Sequence, residues 1–309
     1  MEKDVYNDLD RIEVSQIEES LVTCSLGRRI FYYEQIDSTN TQAKRLVKEE
    51  RVQEALHGAL ILAEEQLNGR GRLGRDWSSP KEGGIWMSFI LNPKLPVSSC
   101  PMLTLVAAMA VNSAIRRVSG LASFIKWPND IVVNGKKVCG ILTEITTGRA
   151  TTGGVAINNT AGPINTVRSE AASEQGRSDT EEINIILGIG INANRKEFPS
   201  ELHSKATSLS LEKGEDLNRG CLIAEICNSL EKYYEEFVHQ GDLAELKAEY
   251  EEYLINKGKQ VLVLKEEEEY PGIALGINEQ GALLIETKEN GVETIVSGEV
   301  SVRGILGYV

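Results

Sequence analysis

Cysteine, histidine and proline are scarce in this sequence of 309 residues, which contains 5 cysteines, 3 histidines and 8 prolines. The cysteines form no CxxC pair and no histidine stands at metal-ligand spacing from them; they are Cys24, Cys100, Cys139, Cys221 and Cys227. This scatter argues against a disulfide framework and against a structural zinc site, and reduced thiols are typical of a cytoplasmic protein. We therefore predict no metal ion held by the side chains of the protein itself.

Long hydrophobic runs are also missing. Met1–Asp10 is polar, without the apolar core of a signal peptide, and the most apolar stretch, Met102–Val111, is predicted to be too short to cross a bilayer. Lysine and arginine number 33 against 46 aspartates and glutamates, a formal net charge of −13. This balance argues against electrostatic binding to nucleic acid or to an anionic membrane. We predict a soluble, cytoplasmic protein that binds neither DNA nor a membrane.

The length predicts about two domains of roughly 150 residues each. A change to short β-prone runs at Gly258 places the domain boundary between residues 1–257 and 258–309. In the first part, the predicted strands are Arg29–Glu34, Ala59–Glu64, Gly84–Leu91, Phe124–Trp127, Ile131–Val133, Lys137–Glu144 and Ile183–Ile191. The predicted helices are Val14–Leu21, residues 40–50, Met102–Val118 (opened by Pro101), Arg219–Gln240 and Leu243–Ile255.

Two segments depart from this mixture of predicted strands and helices. From Gly258 onwards, five short β-prone runs separated by Pro-Gly, Glu-Gln-Gly and Glu-Asn-Gly predict a small all-β barrel or sandwich. Residues 146–182 are rich in Thr, Gly, Asn, Ser and Ala and have no apolar period. They are predicted to form an inserted loop between two paired strands.

The sharpest local signal is the segment Gly69–Trp77, GRGRLGRDW, in which three glycines alternate with three arginines directly after a predicted strand. Glycines let a backbone approach a ligand closely and present N–H groups to an anion. Arginines add planar donors that suit phosphate or carboxylate. Taken alone, the segment also fits a flexible surface loop. It is neither a P-loop nor a dinucleotide fingerprint.

Three further motifs carry weaker signals. Lys126–Asp130, KWPND, ends a strand in a turn, where Asn and Asp either face a cleft or bond their own backbone. In the following KKVCGIL segment, one of Lys136 and Lys137 is expected to reach a phosphate while the other is solvated. Glycines within the apolar strand that contains GIGIN, 188–192, mark either a bend or a close approach of backbone to ligand.

Together these motifs resemble the biotin–protein ligase family in order and spacing. The resemblance covers about residues 30–309 and rests on DSTN (37–40), Gln66, GRGRLGRDW (69–77), KWPND (126–130), KKVCGIL (136–142) and GIGIN (188–192). It implies an α+β fold: a mixed β-sheet with flanking helices, as in class II synthetases, followed by a small SH3-like C-terminal β-barrel. It also implies an enzyme that uses ATP and Mg²⁺ to activate biotin as biotinyl-AMP. The biotin is then transferred to a lysine of a carboxylase's biotin carboxyl carrier domain, and the resemblance leaves a homodimer open.

The resemblance also implies roles for individual residues. The catalytic residues are Arg70, Arg72, Asp130 and Lys137. The biotin-binding residues are Ser38, Thr39, Asn40, Gln66, Arg70, Gly71, Arg72, Lys137 and Gly140. The nucleotide-binding residues are Arg72, Arg75, Trp77, Lys126, Asn129 and Asn192. Within this set, Lys137 is expected to contact the biotin carboxylate and the α-phosphate, Trp77 to cover the adenine, and Asp130 to orient or deprotonate the acceptor lysine.

Regulatory members of the family carry an N-terminal winged helix-turn-helix domain, and residues 1–30 are too short to hold one. The expected function is therefore that of a ligase without a DNA-binding repressor role. Two competing hypotheses are a lipoate–protein ligase, which would run the same adenylation chemistry on a related fold, and a non-catalytic biotin-binding or scaffold protein. The presence of KWPND together with GRGRxGRxW favours biotin.

Overall fold

A computed structural model describes residues 11–49, 56–81, 83–147, 183–265, 268–297 and 300–304. Seven strands form one sheet in the order β1-β2-β3-β7-β6-β5-β4. They are β1 (Ile30–Ile36), β2 (Leu60–Gln66), β3 (Gly84–Leu91), β4 (Ser123–Lys126), β5 (Asp130–Val133), β6 (Lys136–Thr147) and β7 (Ile183–Asn192). Strands β1 and β2 run parallel, and the other described pairs of this sheet run antiparallel, which makes the sheet mixed.

Helices cover this sheet because their apolar faces need a partner surface. They are α1 (Val14–Ser20), α2 (Thr39–Glu49), α3 (Leu103–Ser119), α4 (Leu209–Lys213), α5 (Arg219–Gln240) and α6 (Lys247–Tyr253). Helix α3 is buried nearly all round and packs against α5 and the sheet. Within the described residues, the stretch Val97–Ser119 is long and apolar enough to cross a membrane, and 78% of its most apolar window is buried inside the protein. The apolar stretch is therefore longer than the sequence suggested, and it serves as a core helix.

A second, five-stranded antiparallel sheet follows in the order β11-β10-β9-β8-β12. Its strands are β8 (Gln260–Lys265), β9 (Glu268–Ile277), β10 (Leu283–Thr287), β11 (Gly291–Ile295) and β12 (Val300–Gly304). The predicted fold class is thus confirmed: an α+β protein with a mixed sheet and flanking helices, followed by a small SH3-like β-unit.

Several element boundaries differ from the prediction. The helix expected over Leu243–Ile255 is shortened to α6 at both ends: residues 243–246 form a bend and a turn, in which the Leu243 N–H donates to the Glu279 carbonyl, and Leu254 leaves the helix to form a β-bridge with Ile125. Pro101 lies inside a 3₁₀ turn, and α3 starts after it. Pro271, expected in a turn, lies within β9 opposite Leu262. It is tolerated there because the pairing of β9 with β10 begins only at Ile273.

The predicted insertion falls mostly on residues 148–182, which lie outside the described residues, but its flanks are described. Strands β6 and β7 pair antiparallel on either side of it, with Ile145 opposite Ile185 and Leu142 opposite Gly188. The predicted hairpin is therefore confirmed.

Replacing residues 148–182 with a two-residue Asn-Gly turn, so that the paired residues Thr147 and Ile183 flank it, is expected to preserve the biotin transfer that the resemblance implies, since a turn of this type can close an antiparallel pair. The free-energy cost of closing a loop rises by only about 0.6 kcal/mol per doubling of its length. Shortening the connection is therefore expected to change the free energy of pairing of β6 with β7 little. Mass analysis of a carrier domain incubated with the shortened protein, biotin and Mg-ATP checks this. A shortened protein that makes biotinyl-AMP but leaves the carrier unlabelled would instead assign the segment to carrier docking.

Candidate active site

A cleft of about 1520 Å³ opens over the middle of the seven-stranded sheet. It is bounded by the start of α2, the segment Gly69–Trp77, the β4–β5 turn and the central strands β6 and β7. The structure brings all of the predicted site residues to this cleft: Ser38, Thr39, Asn40, Gln66, Arg70, Gly71, Arg72, Arg75, Trp77, Lys126, Asn129, Asp130, Lys137, Gly140 and Asn192. Their individual roles remain predictions, whereas their convergence on one cleft is a structural fact.

The glycine–arginine segment folds back on itself as a hairpin-like loop. Gly69 and Trp77 are joined by a backbone hydrogen bond, and Gly71 donates to the Arg75 carbonyl at 2.7 Å. At the tip, Leu73 adopts a left-handed backbone conformation with φ 56°, and its side chain is exposed. Gly69 is required at the base, because an added Cβ would lie 2.6 Å from Ser79 Oγ. The alternation of glycine and arginine therefore builds a closed loop against the cleft.

Trp77 ends this loop and lies flat against the centre of the sheet. Its ring stands edge-on to Trp86, with centroids 6.5 Å apart. Gly190 of the GIGIN segment makes room for it, since a Cβ there would come 2.5 Å from Trp77 Nε1. The Trp77 indole N–H is buried and has no hydrogen-bond partner among the described residues. At Gly190, the glycine of β7 thus reflects a close approach by a side chain of the loop.

Cationic side chains converge from β4, β6 and the loop. Lys137 forms an ion pair with Asp130, and its ammonium lies 5.1 Å from the centroid of the Trp77 ring. Lys126 lines the same cleft and is buried. Of the two neighbouring lysines considered as phosphate ligands, the structure places Lys137 in the cleft, while Lys136 is not among the lining residues.

Arg72 reaches from the loop across the cleft to the KWPND turn. Its guanidinium donates to Asn129 Oδ1 at 2.9 Å, and the Asn129 amide in turn donates to the Ile141 carbonyl at 3.1 Å. Burial lowers the pKa of Arg72, and the charge of Asp130 opposes that shift. Asn129 therefore holds the loop arginine in this structure. Its expected role toward the nucleotide is untested.

Like Asn129, the Asn192 side chain forms a hydrogen bond with a backbone carbonyl of a neighbouring segment. Its amide donates to the Thr207 carbonyl at 3.2 Å, and the backbone of Lys137 bonds to Lys205 and Thr207 on either side. These bonds hold the segment after β7 along one wall of the cleft. Sequence reasoning missed this wall, which adds Arg195, Phe198, Leu202, Ser204, Lys205 and Ala206 to the lining. The Arg195 guanidinium lies 4.7 Å from the centroid of the Phe198 ring. The wall is an irregular segment without a motif or an apolar period, so it gives no local sequence signal.

A buried polar network occupies the opposite end of the cleft, at the start of α2. Gln66 Oε1 accepts from the Thr39 N–H at 2.9 Å, and Gln66 Nε2 donates to Ser79 Oγ at 2.8 Å. The Ser88 hydroxyl lies 2.7 Å from Thr39 Oγ1 and 2.6 Å from Asn40 Oδ1. Three members of the network were not predicted: Ser79, Ser88 and Glu144. Ser88 had a usable signal, as a lone polar residue in the apolar strand β3.

Gly188→Ala is expected to disrupt this network, because an added Cβ would lie closer to Asn40 Oδ1 than non-bonded atoms allow. Asn40 is held on both sides and cannot move without losing hydrogen bonds, each worth about 1 kcal/mol net and more when a buried partner is left unsatisfied. We expect the ligand that the resemblance implies, biotin, to bind about tenfold more weakly and the free energy of unfolding to fall by about 1–3 kcal/mol. Calorimetric titration and denaturant unfolding measure the two effects. Unchanged affinity would show that Asn40 moves freely.

No group of three or more His, Cys, Asp or Glu side chains that could hold a metal ion occurs among the described residues. In the cleft, the carboxylate of Asp130 is engaged by Lys137.

The chain is similar to known proteins over nearly its whole length. Residues 32–160 match the model of the Biotin/lipoate A/B protein ligase family, and residues 258–303 match that of the Biotin protein ligase C terminal domain. A bifunctional ligase/repressor BirA from Bacillus spizizenii is 36% identical over 292 residues, which are 94% of this chain and 79% of the relative. A biotin–[acetyl-CoA-carboxylase] ligase from Mycobacterium tuberculosis is 27% identical over 249 residues, 78% of this chain and 77% of the relative.

Solved structures agree with these relatives. A biotin protein ligase from Aquifex aeolicus, in complex with biotin and ATP, superposes with a TM-score of 0.70 at 30% sequence identity. The match covers 90% of this chain and 99% of the other. Identity above 30% with a relative spanned for most of its length, a shared two-part fold and one cleft holding every motif lead to a single conclusion: the chain belongs to the biotin protein ligase family.

Proposed function

We propose that this protein is an ATP-dependent biotin–protein ligase that attaches biotin to one lysine of a biotin carboxyl carrier domain. The observation that carries the proposal is the division of the cleft. One end presents buried neutral polar groups around Thr39 and Gln66, and the other presents the cations Arg72, Lys126 and Lys137. The neutral ureido ring of biotin matches the first end. The biotin carboxylate and the triphosphate of ATP match the cationic end.

In the first step, an oxygen of the biotin carboxylate attacks the α-phosphorus of ATP. The new P–O bond forms as the bond to the β-phosphate bridging oxygen breaks, which yields biotinyl-AMP and pyrophosphate. Two anions must approach each other, so cations must offset their repulsion. We assign this task to Lys137, with Arg72 and Arg70 from the loop. Lys126, Arg75, Asn129 and Asn192 are assigned to the nucleotide, and the Trp77 ring to the adenine.

In the second step, the amine of the acceptor lysine attacks the biotinyl carbonyl carbon. An amide bond forms, the bond to the AMP phosphate oxygen breaks, and the amine loses a proton. We assign that proton to Asp130, which lines the cleft and whose carboxylate is oriented by its ion pair with Lys137. The loop Gly69–Trp77 excludes water from the hydrolysable anhydride.

Mg²⁺ is proposed as the counter-ion of the ATP phosphates. When bound, it would neutralise phosphate charge, and phosphate and water oxygens are its expected main ligands, since Mg²⁺ in nucleotide sites is held mostly by these. We further propose that residues 1–257 form the catalytic domain and residues 258–309 the C-terminal domain, and that the protein acts in the cytoplasm.

Incubation of the protein with biotin, Mg-ATP and a biotin carboxyl carrier domain, followed by mass analysis, tests the proposal. One lysine of the carrier should gain the mass of one biotinyl group. Parallel pyrophosphate exchange with biotin and with lipoate separates this function from that of a lipoate ligase. Exchange driven by lipoate alone, or exchange with neither acid, would contradict the proposal in favour of the two competing hypotheses.

A further inference from the structure

A chain of short polar contacts runs from the surface of β6 to the neutral end of the cleft. Glu144 lies at its outer end, where one carboxylate oxygen pairs with Lys44 Nζ at 2.6 Å and the other lies 2.8 Å from Asn40 Nδ2. Asn40 Oδ1 is 2.6 Å from Ser88 Oγ, which is 2.7 Å from Thr39 Oγ1. Thr39, Asn40 and Ser88 are buried, and Thr39 lines the cleft.

The positions of the hydrogens follow from counting donors. A carboxylate paired with an ammonium has no proton to give, so the amide nitrogen of Asn40 must face Glu144 and its oxygen must face Ser88. An amide oxygen cannot donate, and therefore the single hydroxyl hydrogen of Ser88 points to Asn40. Ser88 must then accept at its 2.7 Å contact with Thr39, so the Thr39 hydroxyl hydrogen points to Ser88.

This order competes with one other arrangement, in which Thr39 donates to Gln66 Oε1 at 3.0 Å. That oxygen already accepts the Thr39 backbone N–H at 2.9 Å. In the order that starts from Glu144, the contact of Thr39 Oγ1 with Gln66 Oε1 at 3.0 Å is left without a hydrogen. In the alternative, the contact of Thr39 with Ser88 at 2.7 Å is left without one. The unmade hydrogen bond costs more at the shorter contact, so the order that starts from Glu144 prevails. The Thr39 oxygen then keeps its lone pairs for the cleft.

We propose that Glu144 is a positioning residue that fixes the direction of this chain and so makes Thr39 Oγ1 a hydrogen-bond acceptor for a ligand N–H. The inference rests on the proposed function, since biotin offers ureido N–H donors. This acceptor is also a determinant of specificity. A ligand whose ring has no N–H, such as a dithiolane, would leave the Thr39 oxygen without a hydrogen bond and would therefore bind more weakly.

The isosteric variant Glu144→Gln tests the direction of the chain. The glutamine oxygen is drawn to the Lys44 ammonium, which turns its NH₂ group toward Asn40. The Asn40 amide then has to flip and the order of donors reverses, so that Thr39 becomes a donor. We expect the Kd for biotin, measured by calorimetric titration of the full chain, to rise about tenfold. The double variant Lys44→Met/Glu144→Gln removes the pull of the ammonium and should recover most of that loss.

A matched control is Glu34→Gln, which neutralises an exposed glutamate paired with Arg11 outside the cleft and should leave the Kd unchanged. A second probe is a pair of cyclic carbamates in which oxygen replaces one or the other ureido N–H of biotin. The unaltered protein should bind one of them at least tenfold more weakly than biotin, and Glu144→Gln should discriminate less. Thermal unfolding of each variant checks that the fold is retained.

An unchanged Kd in Glu144→Gln, or a double variant no better than the single one, would overturn the positioning role. Biotin binding by the unaltered protein without formation of biotinyl-AMP would overturn the proposed function alone, because the comparison of variants is still read from the Kd. No biotin binding at all would overturn both.

Discussion

Replacing Lys137 with alanine should slow the formation of biotinyl-AMP by about 10²–10³-fold while leaving the fold intact. The charge of this lysine is expected to offset the approach of a carboxylate to a phosphate in a cleft where water is partly excluded. Loss of one such stabilising group costs on the order of 3–4 kcal/mol of transition-state free energy. Its position supports the expectation, because its ammonium lies beside Asp130 and 5.1 Å from the Trp77 ring. Biotin-dependent pyrophosphate exchange measures the effect.

Lys136→Ala is the matched control, since it removes the neighbouring lysine, whose side chain does not line the cleft. It should leave exchange near the rate of the unaltered protein. Lys137→Ala also deprives a largely buried Asp130 of its ion-pair partner, so unfolding must be measured alongside. The variant Lys137→Ala/Asp130→Ala separates the two effects, because it removes the unpaired carboxylate but restores no cation. Normal exchange in Lys137→Ala would transfer the role to Lys126 or Lys136.

The strands and long helices were predictable because they depend on local pattern. The apolar runs that become β3 and β7 have no polar alternation, as expected for strands buried on both faces, and the structure places them at the centre of the sheet. The early end of one helix has a non-local cause. The helix expected over Leu243–Ile255 ends before Leu254 because that residue forms a β-bridge with Ile125, a partner distant in sequence that no local pattern reveals.

The site was predictable where one short segment carries several functional residues, as in Gly69–Trp77. It was not predictable where a role depends on strand pairing. Glu144 reaches Asn40 because β6 pairs with β7 and brings its end to the start of α2, a relation that spans 104 residues. The same holds for the glycines of β7: sequence allowed a bend or a close approach, and only the pairing shows Asn40 over Gly188 and Trp77 over Gly190.

Arg72→Gly should release biotinyl-AMP from the protein, so that lysines of bystander proteins become labelled. In the structure, this guanidinium reaches across the cleft to Asn129, which itself donates to the backbone of β6, and we expect this contact to hold the loop closed. A glycine has no side chain to make the contact, and it also loosens the backbone of a loop that already contains two glycines within Gly69–Gly71. Charge-assisted hydrogen bonds of this kind are worth about 1.5–3 kcal/mol, which corresponds to a faster loss of intermediate by about 10–100-fold.

Synthesis of the intermediate should suffer less than its retention, since Lys137 and Lys126 remain to offset the charge of the attacking carboxylate. The measurement is mass analysis of a carrier domain and of an unrelated lysine-rich protein incubated together with the variant, biotin and Mg-ATP. Asn129→Ala provides a matched second variant, because it removes the partner of the arginine but leaves the arginine itself. If the loop is held closed by this contact, Asn129→Ala should show the same bystander labelling to a smaller extent. Strict selectivity for the carrier lysine in both variants would mean that the intermediate is retained by other contacts and that the loop has no closing role.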